Sequence, residues 1–339
     1  MTPQISIITT TFNDARHIGE AIESILSQSF EDFEYIIVND NSQDETKDII
    51  NKYARTDRRI IPLSNERNLG RAASRNRALQ ISQSEWIAIF DGDDISDPLR
   101  LEKQSAFINE YPNVDYFGSD CCYENKVTLD PISKEFILHT SHETISWELY
   151  WNYPFHHSST MGRKKILIEA GGYPETYPVC EDIYLWMQLA KMGARFANIP
   201  EKLIKYRVNP APNHYALNQI LAQKLHCQHV EYLIGEKIPP DVFEIIWSTN
   251  YSESFPTDKY ILSINNIFDA SQILVKSFEK ISSNINMTRN EREKIQTNFL
   301  LRLRRVLNLI STVNCDDGVK YQSIYSGYLN TYNTLHIEG

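Results

Sequence analysis

What this chain lacks bounds it first. No run of about 18 uncharged apolar residues occurs anywhere in its 339 positions, so no transmembrane helix is expected. The first residues carry no basic segment followed by an apolar one, and no secretory signal is expected. Cysteine is scarce. The five are scattered except for Cys121-Cys122, which leaves neither a disulfide framework nor a zinc-ligand spacing and fits a reducing, cytoplasmic setting. Positive charge is in deficit, with a net charge of -10, so nucleic acid is not an expected partner. The pattern G-x-G-x-x-G is missing, which argues against a dinucleotide-binding Rossmann site. G-x-x-x-x-G-K-[ST] is missing too, which removes the P-loop. The diphosphate of any nucleotide must then be held mainly by metal and basic side chains.

What is present is ordinary for a soluble globular protein, at 42% hydrophobic and 23% charged residues. The length admits one large domain or two ordinary ones. In the first third, strand-like and helix-like segments alternate. Ile5 to Phe12 is a β-branched run, followed by Ile18, Ala21, Ile22, Ile25 and Leu26 at helical spacing. Phe33 to Val38 reads as a second strand ending in Asn39-Asp40-Asn41-Ser42, where Ser42 and Glu45 form an expected capping box. A short strand over 59–63, a helix over 69–81 and a strand over 86–90 complete the series. Alternation every 25 residues or so is the sign of βαβ units and a parallel sheet.

Trp86-Ile87-Ala88-Ile89-Phe90 ends abruptly in Asp91-Gly92-Asp93-Asp94. In an open α/β sheet, ligands sit beyond the carboxyl ends of the strands. Polar residues collect at those ends: Thr10 and Thr11, then Asp40, then Asp91, Asp93 and Asp94. Parallel neighbouring strands would place them on one rim. Clustered carboxylates repel unless a cation joins them, and hard oxygen ligands favour Mg2+ or Mn2+. The plainer reading is that these residues serve local turns and helix caps. Arg71 and Arg75 stand one helical turn apart and can face the same cleft.

These motifs, in this order, resemble a family 2 glycosyltransferase with the GT-A fold. The matching stretches are Ser6 to Asn13, Ile25 to Phe30, Val38 to Asp44, Asn68-Leu69-Gly70 with Ala73-Ser74-Arg75-Asn76, and Asp91 to Asp94. The resemblance covers residues 1 to about 210. It implies an α/β GT-A fold, Rossmann-like, with a mostly parallel sheet flanked by helices. The implied organisation is a domain over 1–212, with a nucleotide-binding half at 1–98 and an acceptor and catalytic half at 99–212, followed by a helical region at 213–339. The implied activity is inverting transfer of a sugar from a nucleoside-diphosphate donor, UDP-linked in the first instance, to a hydroxyl of a glycan or lipid-linked acceptor in cell-surface polysaccharide biosynthesis. Two other readings are a sugar nucleotidyltransferase and a non-catalytic nucleotide-sugar scaffold. The first would want a Gly-rich basic loop where Thr10-Thr11-Phe12-Asn13-Asp14 stands.

By the same resemblance, Thr10 and Asp40 contact the nucleobase, and a carboxylate can accept the imide N–H of uracil. Arg75 lies near the nucleotide, Asp93 touches ribose or metal, Asp94 ligates the metal, and Asp91 completes the motif. His157, in Phe155-His156-His157-Ser158-Ser159, matches a segment that runs beneath the donor sugar, although a structural histidine is as reasonable. Cys180-Glu181-Asp182-Ile183-Tyr184-Leu185-Trp186 matches the Glu-Asp motif ahead of Leu-Trp. Asp182 is then the general base, supported by Glu181, on a helix running to Gly193. Tyr206-Arg207-Val208-Asn209 matches the closing segment, with Arg207 as a candidate for diphosphate. Asn209 stands where the family often has a metal-binding histidine, which leaves the third protein ligand open, with His214 as a substitute.

From Tyr215 onward the pattern is helical: 217–233, 241–247, 261–281, 290–313 and 323–335. No catalytic motif occurs there. The run 299–310 carries three Arg and no acid. It reads as a core helix with a charged outer face, because positions 299, 300, 303, 306, 307 and 310 form one stripe. Peripheral contact with an anionic membrane and homodimerisation through these helices are the other readings of the same pattern.

Overall fold

The structure is a computed structural model that describes residues 2–133, 138–209, 215–248, 264–284 and 287–309. His214 and the helix expected over Ser323 to Leu335 lie outside the described residues.

Strand β1 (Ile5–Thr11) is the centre of a parallel half-sheet. It is flanked by β2 (Phe33–Asn39) and, on the other side, by β4 (Trp86–Ile89); β3 (Ile60–Ser64) lies outside β2. All three pairings are parallel, with Thr11 opposite Asn39 and Ile8 opposite Ile89. Three helices make the crossovers: α1 (Ile18–Leu26), α2 (Thr46–Ala54) and α3 (Arg71–Ile81). Because both faces of this half-sheet are covered, β2 is buried at every position, as a near-continuous apolar run requires.

Beyond β4 the sheet becomes mixed. After the short β5 (Ile95–Ser96) and α4 (Arg100–Glu110) comes β6 (Tyr116–Asn125), followed by β7 (Pro131–Ile132) and α5 (His142–Glu148). A 3-10 turn at His157–Ser159 leads into β8 (Met161–Arg163), α6 (Lys164–Glu169), α7 (Glu181–Lys191) and β9 (Phe196–Val208). The order across the sheet is β3-β2-β1-β4-β8-β6-β9-β5, with β7 on β6. β8 runs antiparallel to β4 and β6, whereas β6 and β9 run parallel with register shifts around Asp120. A segment with no clear period in its sequence, 121–147, therefore contains the end of a ten-residue strand and a helix.

The core on one face is built from Ile7, Ile22, Ile25, Tyr35, Phe90 and Phe117 and their neighbours. Arg100 is wholly buried beside it. Its Nη2 donates to the Ile89 carbonyl at 2.8 Å and its Nε to Gln104 Oε1 at 3.1 Å. A buried guanidinium is costly unless it is hydrogen-bonded. Here its bonds hold the end of β4 in place, directly before the acidic turn.

One expected cap does not form. Ser42 Oγ accepts the Asn13 N–H at 2.9 Å rather than an N–H of α2, which starts at Thr46 without a side-chain cap from its preceding residue. Asp44 accepts the Thr46 N–H instead. A tertiary bond between two strand-end loops has taken the place of the local capping box.

The chain divides into two compact units, one of residues 1–149 and 153–222, the other of 150–152 and 223–339. The division falls within α8 (Tyr215–Ile234). The second unit includes α9 (Pro240–Ser248), α10 (Ile264–Asn284) and α11 (Arg289–Asn308). A capping box of Thr288 and Glu291 starts α11, and Phe299, Leu303, Val306 and Leu307 are buried along one stripe. Arg302 is buried as well, with its guanidinium 5.8 Å from the Trp151 ring centroid. No helix among the described residues is long and apolar enough to cross a membrane.

Candidate active site

The carboxyl ends of β1, β2 and β4 open onto a cleft of about 620 Å³. Eight of the residues expected at the site lie on its wall: Thr10, Asp40, Arg71, Arg75, Asp91, Asp93, Asp94 and Arg207. Glu181, Asp182 and His157 are not on that wall. Pro178 and Val179, just ahead of the Glu-Asp pair, are.

Arg75 joins the two groups. It is 3% exposed, yet its Nη1 donates to Glu181 Oε1 at 2.6 Å and its Nη2 to Asp91 Oδ1 at 2.9 Å. Its guanidinium also lies 5.4 Å from the Tyr173 ring centroid. Burial would raise the Asp91 carboxyl, but Arg75 and His157 hold it well below the usual carboxylate range. Glu181 is likewise held low against burial, by Arg75 and Arg71. The Arg71 Nε is 3.4 Å from Glu181 Oε1, and its side chain is mostly exposed to the cleft.

His157 sits behind Asp91. Its Nε2 is 3.0 Å from the Tyr173 hydroxyl, and its Nδ1 is 3.8 Å from Asp91 Oδ2. The following hydroxyl, Ser158 Oγ, accepts the Asp91 N–H at 3.0 Å. Tyr173 is positioned by Asn76 of α3, whose amide accepts the Tyr173 N–H and donates to its carbonyl, both at 2.8 Å. Gly172, with φ +67°, has no space for a side chain, because a Cβ would lie 2.5 Å from Asn76 Oδ1. Tyr173, Asn76 and Ser158 thus belong to the site, although the sequence alone assigned none of them a role.

Asp182 occupies the second position of α7. Its Oδ1 accepts the Ile183 N–H at 2.9 Å, satisfying one of the first-turn donors that lack an intrahelical acceptor. Among the described residues, no donor reaches its Oδ2. Burial pushes the carboxyl above its usual range; His157 opposes that shift and the Glu181 charge adds to it. Cys180 precedes the pair in the left-handed region, at φ 63°, so the chain turns sharply into the helix there.

Asp40 is more tightly held than a free base-recognition group would be. Its Oδ1 accepts from Asn65 Nδ2 at 2.7 Å and from the Leu69 N–H at 2.8 Å, and its Oδ2 accepts the Gly70 N–H at 2.9 Å. With two acceptor sites per oxygen, one on Oδ2 is left for a ligand. Asp40 therefore also anchors the loop that carries Asn68 and Gly70 along the cleft.

The acidic turn after β4 is unevenly compensated. Asp93 Oδ2 accepts from Lys126 Nζ at 2.5 Å, and the same ammonium lies 3.6 Å from Asp14 Oδ1. Neither Lys126 nor Asp14 was foreseen at the site; only their distance along the chain from the motif hid them. Asp94 is 1% exposed. Its Oδ1 accepts the Arg207 N–H at 2.8 Å, while its Oδ2 is buried without a hydrogen-bond partner among the described residues, and the Ser158 hydroxyl acts on the carboxyl as well. Burial, then the charges of Asp93 and Asp91, push its carboxyl well above the usual range. An orphaned buried carboxylate oxygen beside a second carboxylate fits a hard divalent cation. Among the described residues, the only His/Cys/Asp/Glu set with ligand atoms gathered within 4.8 Å is a different one, Asp120, Cys121 and His156. Arg207 gives its N–H to Asp94 and its Nη1 to the Asp93 carbonyl at 3.4 Å. Its Nη2 is 2.6 Å from Glu20 Oε2 and its Nε 3.0 Å from Glu124 Oε2, so its guanidinium is committed to two carboxylates.

Comparison with known proteins gives this arrangement a context. Residues 6–171 match the model of the family described as glycosyl transferase family 2. An uncharacterized glycosyltransferase of Methanocaldococcus jannaschii, MJ1057, is 35% identical over 228 residues, covering 66% of this chain and 77% of that one. Among solved structures, Staphylococcus aureus TarS 1–349 in complex with UDP-GlcNAc has a TM-score of 0.59 at 18% identity, over 91% of this chain and 92% of that one. The mannosyltransferase PcManGT of Pyrobaculum calidifontis, in complex with GDP-Man and Mn2+, has a TM-score of 0.53 at 17% identity, over 91% and 87%. At such identities the likeness concerns the fold, and it bears out the expected GT-A architecture with C-terminal helices. The stretch in which the strand-end acids, Arg75 and the His-Ser turn all fall is the stretch the family model matches, and this chain belongs to family 2 of the glycosyltransferases.

Proposed function

We propose that this glycosyltransferase moves a sugar from a nucleoside-diphosphate donor, UDP-linked, to a hydroxyl of a glycan or lipid-linked acceptor, by a single displacement that inverts the anomeric centre. The observation that carries this reading is the double ion pair of Arg75. It ties Asp91 of the strand-end turn to Glu181 of α7, so the donor-side acids and the Glu181-Asp182 pair belong to one site. UDP-GlcNAc in TarS and GDP-Man with Mn2+ in PcManGT are consistent with a nucleotide sugar in the same fold.

Asp182 is the base in this reading. Among the described residues its Oδ2 has no donor, and a carboxyl raised above its usual range is a better proton acceptor near neutral pH. It takes the proton of the acceptor hydroxyl as that oxygen attacks from the face opposite the leaving diphosphate. Glu181 keeps Asp182 basic through its charge while Arg75 holds Glu181 in place. Thr10 and the remaining acceptor site of Asp40 face the nucleobase, and Arg71 faces the diphosphate. Asp93 and Asp94 would hold Mg2+ or Mn2+, which when bound supplies charge compensation to the departing nucleoside diphosphate.

A thermal-shift panel of nucleotide sugars with and without Mn2+ tests the donor side. UDP-sugars should raise the melting temperature, and more so with Mn2+. A panel in which no nucleotide sugar stabilises the protein would remove the reading.

A further inference from the structure

The cations of the cleft are unequal. Arg75 is fixed by Asp91 and Glu181, and Arg207 by Glu20 and Glu124. Lys126 contacts Asp93, and it is the one cation on that carboxylate among the described residues. Its backbone is pinned on both sides. Its N–H donates to the Val208 carbonyl at 2.9 Å, and its own carbonyl lies 3.3 Å from His17 Nε2. The next carbonyl, that of Val127, accepts from Arg16 Nη2 at 2.9 Å. The ammonium, at the end of a four-carbon stem, can therefore change partners without moving the chain.

A dication seated on the orphaned Asp94 Oδ2 also meets the charge of Asp93, which acts on Asp94 ahead of that of Asp91. Lys126 already occupies an oxygen of that carboxylate. Both cations cannot share it at contact distance without mutual repulsion. Asn209, on the same wall, brings no charge.

We propose that Lys126 is a displaceable counter-cation: it neutralises Asp93 in the metal-free site, and its ammonium would pair with the donor diphosphate once Asp93 and Asp94 held a metal. The inference rests on the metal-assisted nucleotide-sugar reading above and adds a residue and a coupling to it. Metal binding alone must displace an ion pair. Metal binding with nucleotide regains that pair on the diphosphate. Each ligand thus strengthens the other, and the coupling is reciprocal.

The test uses full-length protein, Mn2+ alone and UDP. Mn2+ binding is read from the electron paramagnetic resonance signal of the free ion, and UDP binding from calorimetry at saturating Mn2+. In Lys126→Met, Mn2+ alone should bind several-fold tighter than in the wild type, because its competitor is gone. UDP at saturating Mn2+ should bind about tenfold weaker, because a diphosphate partner is gone. Lys126→Arg should keep both values near wild type. Lys126→Gln, which retains much of the stem and loses the charge, should follow Lys126→Met and covers the case in which Met perturbs folding. Unchanged or weaker Mn2+ binding in both neutral variants would overturn the counter-cation role. Unchanged UDP binding in both would overturn the transfer to diphosphate. A wild-type protein whose UDP affinity ignores Mn2+ would instead sink the metal-assisted reading itself, so the two failures are distinguishable.

Discussion

The guanidinium of Arg75 stands 2.6 Å from Glu181 Oε1, across 106 residues of sequence, with almost no exposure to solvent. Together with the 2.9 Å bond to Asp91, it makes α3 the bracket between two acidic segments. Removing one partner of a buried ion pair strands the other and typically costs about 3–5 kcal/mol. Arg75→Met should therefore lower the melting temperature by several degrees or more and abolish transfer. Arg75→Lys keeps the charge but loses the planar fork that reaches two carboxylates at once, so it should recover part of the stability and little of the activity. Thermal unfolding and turnover measured on the same preparations check this. Wild-type stability in Arg75→Met would show that the bracket is dispensable.

Asp182→Asn should leave Mn2+-dependent UDP binding intact and cut kcat by about 10²–10⁴-fold, the usual worth of a positioned base. Normal turnover in this variant would remove Asp182 as the base.

The pH dependence follows from the direction of the Asp182 shift. The active form is the carboxylate, so activity is present above its folded-state pKa and lost as pH falls through it. Burial, the largest cause, lifts that pKa, and Glu181 lifts it further. The acid limb of kcat/KM should then lie above the ordinary aspartate value. Glu181→Gln keeps a hydrogen-bond acceptor for Arg75 but removes the neighbouring charge, so the acid limb should move to lower pH. A limb that moves upward or stays put would contradict the assignment.

Asp94→Asn separates stability from function. The wild-type carboxylate is buried with one oxygen unpartnered and two acids nearby. A neutral amide relieves the repulsion, and the metal-free protein should gain up to about 1–2 kcal/mol, offset by any new amide left unpaired. The same variant should lose the Mn2+ enhancement of UDP binding. Guanidinium titrations without metal, alongside calorimetry with it, give both numbers.

Asp40→Ala should reveal a double role. It removes the acceptor of the part-buried Leu69 and Gly70 N–H groups and strands the buried Asn65 amide, the last at about 1–3 kcal/mol for a buried donor left unsatisfied. UDP affinity should fall in parallel. A loss of affinity with unchanged stability would mean that the loop does not depend on this carboxylate.

Much of the N-terminal half was legible because local pattern and final burial agree there. β1, β2 and β4 are β-branched or apolar runs buried on both faces, and their parallel order alone brings Thr10, Asp40 and Asp91 to one rim. The approach of Arg75 to that cleft followed from helical spacing and the family pattern. What stayed hidden depends on contacts between distant segments. Lys126 meets Asp93 from 33 positions away, and Tyr173 meets His157 across the turn that Asn76 fixes. β6 is hard to read locally because its partner β9 is remote in sequence and their register shifts around Asp120. The Ser42 capping box failed for a related reason, since a tertiary donor, the Asn13 N–H, claimed the hydroxyl.

The closeness of Gly172 to Asn76 also limits how this enzyme can be re-engineered. Position 172 combines a left-handed backbone with a 2.5 Å approach to a side chain that is itself committed to Tyr173. Other residues can adopt the backbone, as Cys180 does, but none has room for its Cβ while Asn76 stays in place, so saturation libraries for altered donor preference should return glycine there.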